Sequence, residues 1–189
     1  MKKKIVVAIS GASGVVYGIE FLKLLKESAQ AETHLILTES GITTIGIETG
    51  HDIEQIRQMA DFCYDNHDLT ARIASGSFLF DAVVVIPCSI KSLSMIVNSI
   101  NENLLTRAAD VSLKEKRKLV LVVRETPLHT GHLRLMLSAS ELGAHILPPI
   151  PAFYHHPQSI SDLIHHNIGK IFDYLAIDHQ LYKRWDPGG

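Results

Sequence analysis

The stretch LLTRAADVSLKEKRKLVLVVRETPL, residues 104–128, holds the helix-to-strand handover on which the fold reading turns. Leu104, Ala108 and Val111 recur at three- and four-residue spacing, the apolar stripe of an amphipathic helix. Arg107 and Lys114 lie about 20° apart around such a helix and flank the stripe on one edge. The run Leu119 to Val123 then reads as a strand buried on both faces, as strands of parallel sheets are. Arg124, Glu125 and Thr126 follow at its C-terminal end, and Pro127 stops it. Ligands of open α/β sheets bind outside the carboxyl ends of the strands. The stretch is therefore expected to carry three cations and a carboxylate to one pocket rim. A solvated helix face followed by a polar loop is the plainer alternative, above all for Lys114.

Toward the N-terminus, Lys4 to Ile9 is a β-branched run that enters Ser10-Gly11-Ala12-Ser13-Gly14. A helix is expected from Val15 to Ser28, with Val15, Ile19, Leu22 and Ala29 on one face. Such a strand–glycine turn–helix unit aims backbone N–H groups at an anion. Its spacing is neither the dinucleotide GxGxxG nor a P-loop. A mononucleotide phosphate and tight packing of helix on strand explain these glycines equally well. Thr33 to Thr38 reads as the second strand, ending in a hydroxyl where a parallel sheet meets its ligand. Ile42–Thr49 and Ile53–Cys63 read as helices, and Tyr64–Ser77 as irregular with one helical turn near Ala71–Ser75. Glu48 has no evident local partner and defaults to solvated surface.

Ala82 to Ile86 is the third strand of this reading, followed by PCSIKS and a helix to Val97. Ser89 and Ser92 suit an N-cap; with Lys91 they equally suit a phosphate or a flavin edge. Ser13, Thr38 and Ser89 thus repeat one chemistry at three strand ends. Downstream come a helix at Thr130–Leu142 closed by Gly143, a short strand at His145–Leu147 and a stiff Pro148–Tyr154 segment. A last helix, Ser159–Ala176, places Leu163, His166, Lys170 and Asp173 along one side. The tail Tyr182-Lys183-Arg184-Trp185 is expected to fold back or dock on a neighbour.

A chain of 189 residues with 46% apolar content fits one domain, 1–189, with a full core. Its net charge of −2 and scattered cations argue against a nucleic-acid partner. No segment approaches the ~20 apolar residues of a membrane span. Cys63 and Cys88 form no CxxC pattern, so a cytoplasmic protein without disulfides is expected. Eleven histidines, His129/His132 and two adjacent pairs among them, give no three-ligand set, and no metal is expected. The GxSxG elbow of a serine hydrolase is absent.

GASG after the first strand, PCSIKSL, the 104–128 stretch and PPIPAFYHHPQS together resemble the UbiX-type flavin prenyltransferases over essentially the whole chain. The resemblance implies an α/β fold, a three-layer flavodoxin-like Rossmann sandwich with a mostly parallel sheet. It implies a dodecamer binding FMN at subunit interfaces. The dimethylallyl group of dimethylallyl monophosphate would be joined to reduced FMN, giving prenylated FMN for a UbiD-type decarboxylase. Carried over by position, Gly11, Ala12, Ser13, Thr38, Ser89, Ile90, Lys91, Ser92 and Arg124 would hold FMN. Arg107, Lys114, Tyr154 and Lys170 would hold the prenyl phosphate, Lys170 standing where arginine is common in the family. Ser13, Glu48, Glu125 and Trp185 would surround the reacting groups.

The chemistry of these residues agrees. Breaking an allylic C–O bond leaves a phosphate richer in negative charge, which fixed cations stabilise. An aromatic face such as Trp185 stabilises the positive fragment and excludes water. Glu125 beside Ser13 could move a proton. A monophosphate needs no Asp-rich magnesium motif. Two other readings are a non-catalytic FMN-binding accessory protein of an aromatic-acid decarboxylase, and a flavin-dependent cysteine decarboxylase. The latter fits PCSIKS and the cationic stretch poorly. Quinone synthesis and aromatic-acid breakdown both remain open as destinations.

Overall fold

From Ile5 to Ile9 every side chain of the first strand is buried, so the sheet it belongs to must be covered on both faces. The computed structural model describes residues 2–186. In chain order its elements are β1 (Lys3–Ile9), α1 (Val15–Ser28), β2 (Ala31–Leu37), α2 (Glu39–Glu48), α3 (Ile53–Arg57) and β3 (Phe62–Asp65). A single 3-10 turn at Arg72–Ala74 follows, then β4 (Ala82–Cys88), α4 (Ile90–Val97), α5 (Leu104–Lys114) and β5 (Lys118–Val123). The last elements are α6 (Thr130–Glu141), β6 (His145–Ile146) and α7 (Ile160–Leu175). Contacts group the chain into two units, one ending at Pro148 and one beginning at Pro149.

In the first unit all six strands are parallel, in the order β3-β2-β1-β4-β5-β6. Side chains alternate between faces. Val6, Ala8, Val83, Val85, Leu119 and Leu121 share one cluster with α4, α5 and α6, through Leu93, Leu104 and Ala139 among others. The opposite face receives α1, where a Cβ on Gly18 would lie 2.3 Å from the Ile86 carbonyl oxygen and 2.9 Å from the Ile9 side chain. Helices on both faces make the expected three-layer α/β sandwich. The strand order reverses between β1 and β4, and such a switch point opens a crevice at the carboxyl edge.

Several sequence expectations need correction. No helix runs from Ile53 to Cys63: α3 stops at Arg57 and Phe62–Asp65 is an edge strand beside β2. The spacing of Ile53, Ile56 and Cys63 imitates a helix. Asp61 overrides it, because its carboxylate accepts from both Thr33 N (2.7 Å) and Thr33 Oγ1 (3.0 Å), while Thr33 Oγ1 accepts from Asp61 N. The strand before PCSIKS is therefore the fourth in the chain. On α1 the buried face runs through Val15, Ile19, Leu22 and Leu25; Ala29 is the exposed left-handed C-cap. The helix of the 104–128 stretch and its strand form as read, capped by Asn103.

The second unit is built on α7, whose start is a capping box. Ser159 Oγ accepts from Asp162 N, and the Asp162 carboxylate accepts from Ser159 N. Ile164, Ile168, Ile171, Phe172 and Leu175 are buried. The tail folds back onto this helix: Tyr182 Oη donates to Asp173 (2.5 Å), and Arg184 pairs with the same carboxylate (2.6 Å). Among the described residues no helix is long and apolar enough to cross a membrane.

Candidate functional site

The carboxyl ends of β1, β4 and β5 are tied into one row. Ser10, 1% exposed, donates its hydroxyl to the Pro87 carbonyl and accepts from Ser89 N, both at 2.8 Å. Arg124 N donates to the Cys88 carbonyl at 3.1 Å. Beside this row lies a cleft of about 290 Å³ lined by Gly11, Thr38, Ser89, Lys91 and Ser92, with Asn66 and Asn103 opposite. A Cβ on Gly11 would lie 2.2 Å from Ser40 Cβ, so close packing at the cleft wall demands glycine there.

Three N-caps meet in that cleft: Thr38 of α2, Ser89 of α4 and Asn103 of α5. Helix geometry leaves the first amides of each without an intrahelical acceptor. On α5 these are already used, since Asn66 accepts from Leu104 N and Leu105 N, and Asn103 from Thr106 N. On α2 and α4 the cap hydroxyls take only Gly41 N and Ser92 N, leaving the first turns facing the cleft. Two helix N-termini, the Lys91 ammonium and several hydroxyls make a donor set for a phosphate monoester. Glu39 and Glu102 also line the cleft, and Glu39 is met by His67 at 3.3 Å.

The glycine turn itself has a different occupant. Glu48, at the end of α2, accepts through Oε2 from Gly14 N (2.8 Å) and Val15 N (3.2 Å), and its carboxylate is hydrogen-bonded to Ser13. Gly14 brings no side-chain cap of its own, so Glu48 closes the first turn of α1. Burial acts to raise the Glu48 carboxyl. The Ser13 bond, the two backbone amides and the Arg124 charge outweigh it and hold the carboxyl below its ordinary range. Ser13, Glu48 and Arg124 thus form a polar cluster that sequence reading assembled only by family likeness. The expectation that Glu48 is merely solvated is corrected: its partners lie 34 and 33 residues away. Glu125 is exposed and accepts from Thr126 N.

Of the FMN residues named from sequence, Ala12, Ser13, Ile90 and Arg124 do not line the 290 Å³ cleft; the other five do. Arg107 and Lys114 lie elsewhere. Arg107 donates to the Ala74 carbonyl (3.0 Å) and pairs with Asp110 (3.1 Å), while Lys114 pairs with Glu115. The helix carrying them starts at the cleft with Asn103 and runs back to the start of β5, so Lys114 ends remote from Arg124. Within one chain, therefore, Lys114 does not share a rim with Arg124, where the sequence leads one to expect three cations on one pocket. Asn66, His67 and Ser40 were not foreseen; Asn66 and His67 follow the unrecognised strand β3.

In the second unit, Tyr154, Lys170 and Trp185 come together with residues not singled out for the site. Trp185 packs edge-on against Tyr154 at 5.8 Å, and Lys170 Nζ lies 5.1 Å from the Tyr182 ring centre. The Tyr154 hydroxyl is 3.1 Å from His166 Nε2. Arg184, then Tyr182 and His179, hydrogen-bond the Asp173 carboxylate and hold it far below the carboxylate range, despite partial burial. Burial, reinforced by Asp173, pushes the Tyr182 phenol up to about 12. Among the described residues no three His, Cys, Asp or Glu side chains gather to hold a metal ion.

Comparison with known proteins places this geometry in a family. The Flavoprotein family model matches residues 1–168. The flavin prenyltransferase UbiX of Escherichia coli K12 is 49% identical over 185 residues, covering 97% of this chain and 98% of that protein. AnUbiX (PadA1), crystallised with FMN and dimethylallyl pyrophosphate, superposes with a TM-score of 0.97 at 41% identity, covering 100% of both chains. A dodecameric FMN-dependent UbiX-like decarboxylase from Escherichia coli O157:H7 gives 0.93 at 43% identity, covering 97% and 98%.

Proposed function

The chain belongs to the Flavoprotein family and, within it, to the flavin prenyltransferases, and on that premise we propose how its residues share the reaction. The reaction joins a dimethylallyl group to FMN. Bound reduced flavin supplies the nucleophilic ring atoms; the protein supplies binding, charge and proton handling. The observation that carries this reading is the convergence of the α2 and α4 N-termini and Lys91 on one cleft at the switch point.

Gly11, Ala12, Ser13, Thr38, Ser89, Ile90, Lys91, Ser92 and Arg124 are assigned to FMN, the hydroxyls and Lys91 to its phosphate. The Ser13 hydroxyl, hydrogen-bonded to the charged Glu48 carboxylate, is oriented by it, and the pair is assigned a proton-handling role beside the flavin. Glu125, exposed just past the end of β5, is assigned a second proton-transfer role. Tyr154 and Lys170 are assigned to the phosphate of the donor, and Trp185 to its hydrocarbon, where an aromatic face stabilises developing positive charge. Lys114, at the far end of α5 from the cleft, and Arg107, held by the Ala74 carbonyl and Asp110, are assigned to the donor phosphate in a neighbouring copy of a dodecamer. Residues 1–189 are taken as one working domain, since the relatives align across both units.

Dimethylallyl monophosphate is the proposed donor, and prenylated FMN the product handed to a UbiD-type decarboxylase. Aromatic-acid decarboxylation, including that of ubiquinone biosynthesis, is the proposed destination. Both cysteines are free thiols, which suits a cytoplasmic protein. The test is to mix the protein anaerobically with reduced FMN and either dimethylallyl monophosphate or the diphosphate, then weigh the flavin. A gain of the dimethylallyl mass with the monophosphate is expected. Flavin that binds but keeps its mass with both donors would identify a non-catalytic accessory protein instead.

A further inference from the structure

His166 lies on α7, 5% exposed, and is enclosed by rings on several sides. The His155 imidazole stacks on it at 4.9 Å with planes 8° apart, and the Tyr182 ring lies 4.7 Å away. Its Nε2 meets the Tyr154 hydroxyl at 3.1 Å, whereas its Nδ1 is buried without a hydrogen-bond partner. Tyr154 is 38% exposed, and its hydroxyl, a donor as well as an acceptor, can make a second hydrogen bond beyond the one to His166.

Burial first, then the neighbouring His155 and Lys170, lower the His166 pKa and keep the ring neutral near pH 7. A neutral imidazole has one N–H and one lone pair. With the proton on Nδ1, the ring would bury an unsatisfied donor, and the tyrosine would have to spend its own proton on Nε2. Tyr154 would then face an incoming phosphate with lone pairs. With the proton on Nε2, that N–H donates to Tyr154 Oη and the O–H of Tyr154 is free to donate outward. Either tautomer leaves Nδ1 unpartnered, as an orphan N–H or as a bare lone pair, at a cost of about 1–3 kcal/mol; only the second frees the phenolic O–H for a charge-assisted bond to a phosphate, and that gain selects it.

We propose that His166 is a positioning residue for the prenyl donor: its Nε2–H holds Tyr154 with the phenolic proton turned out toward the donor phosphate. It touches no substrate and acts only through Tyr154. This rests on the assignment of Tyr154 to the phosphate, and the experiment separates the two.

KM for dimethylallyl monophosphate and kcat would be measured for Tyr154→Phe, His166→Phe, His166→Gln and the Tyr154→Phe/His166→Phe double variant. Tyr154→Phe is expected to raise KM roughly tenfold, as loss of one charge-assisted hydrogen bond does. His166→Phe should raise KM nearly as much, and the double variant no further. His166→Gln, whose amide N–H can reach the Nε2 position, should recover most of the loss. Unchanged KM in Tyr154→Phe would overturn the parent assignment. Raised KM in Tyr154→Phe with unchanged or fully additive His166→Phe would overturn the positioning role alone. Should the His166 variants not fold, imidazole-15N solid-state NMR of the unaltered protein decides. Both His155, 5.4 Å from the Tyr154 ring, and His166 should respond to Tyr154→Phe; the responding imidazole that persists in His155→Phe must be the neutral Nε2–H tautomer, and an Nδ1–H tautomer would overturn the proposal.

Discussion

The Glu48 carboxylate caps α1 from the far end of α2, accepting from the Gly14 amide at 2.8 Å. Its folded pKa is depressed, so its contribution to stability is present above the unfolded carboxylate value of about 4.3 and is lost as pH falls through the lower folded value. Glu48→Gln removes the charge from the positive end of α1 at a cost of about 0.5–1 kcal/mol. Urea titrations at pH 7 and pH 3 should show the gap between variant and parent at pH 7 and a smaller gap at pH 3. An equal gap at both would mean that the charge contributes nothing. Prenyl transfer should fall in the same variant, with flavin affinity changed far less.

Ser10→Ala removes the hydroxyl that joins the ends of β1 and β4, leaving the Ser89 N–H without its partner and the Pro87 carbonyl with only the Ser10 N–H at 3.3 Å. A stability loss of about 1–3 kcal/mol is expected for the orphaned amide. Flavin affinity should fall too, because Ser89 is placed by that bond. Unchanged FMN affinity in a destabilised variant would confine Ser10 to a structural role.

What the sequence made legible follows the range over which each signal acts. The β1–turn–α1 unit, β4, β5 and α7 were readable because burial writes itself into contiguous apolar runs and periodic stripes. The strand β3 was not, since FCYD is a half-exposed edge and its pairing depends on Asp61 reaching Thr33, 28 residues away. Glu48 was invisible as a cap for the same reason. Arg107 and Lys114 were read correctly as sharing a helix edge. What the wheel could not say is that the helix runs away from the cleft, a property of how a crossover returns to the sheet. Family likeness brought Tyr154, Lys170 and Trp185 to notice together; His166 was seen on the same helix face but without its partner.

Lys91 lines the cleft beside two helix N-termini. Lys91→Ala should weaken FMN roughly tenfold or more, the order of a charge-assisted hydrogen bond of about 1.5–3 kcal/mol. Riboflavin, which lacks the phosphate, should bind parent and variant alike. Fluorescence quenching titrations of both flavins would check this, and equal losses for FMN and riboflavin would move Lys91 from the phosphate to the ring.

Asp173 pins the tail by accepting from Tyr182 and Arg184, and the only tryptophan of the chain, Trp185, follows directly. Asp173→Asn keeps an acceptor but loses the charge. Its first expected consequence is on Tyr182, whose phenol, at about 12 in the parent, should fall once the neighbouring charge is gone, with burial, the larger cause, still holding it above the free value of about 10. The second is on the tail: Trp185 emission should change as its edge-on contact with Tyr154 is lost, and trypsin should cut faster after Lys183 or Arg184. Because Asp173 is depressed in the folded protein, the same release should occur in the parent on acidification. The pin is intact above the unfolded aspartate value of about 3.9 and fails only as pH drops through the lower folded value. A parent protein whose Trp185 emission shifts already between pH 6 and 5 would show that another group, and not Asp173, holds the tail.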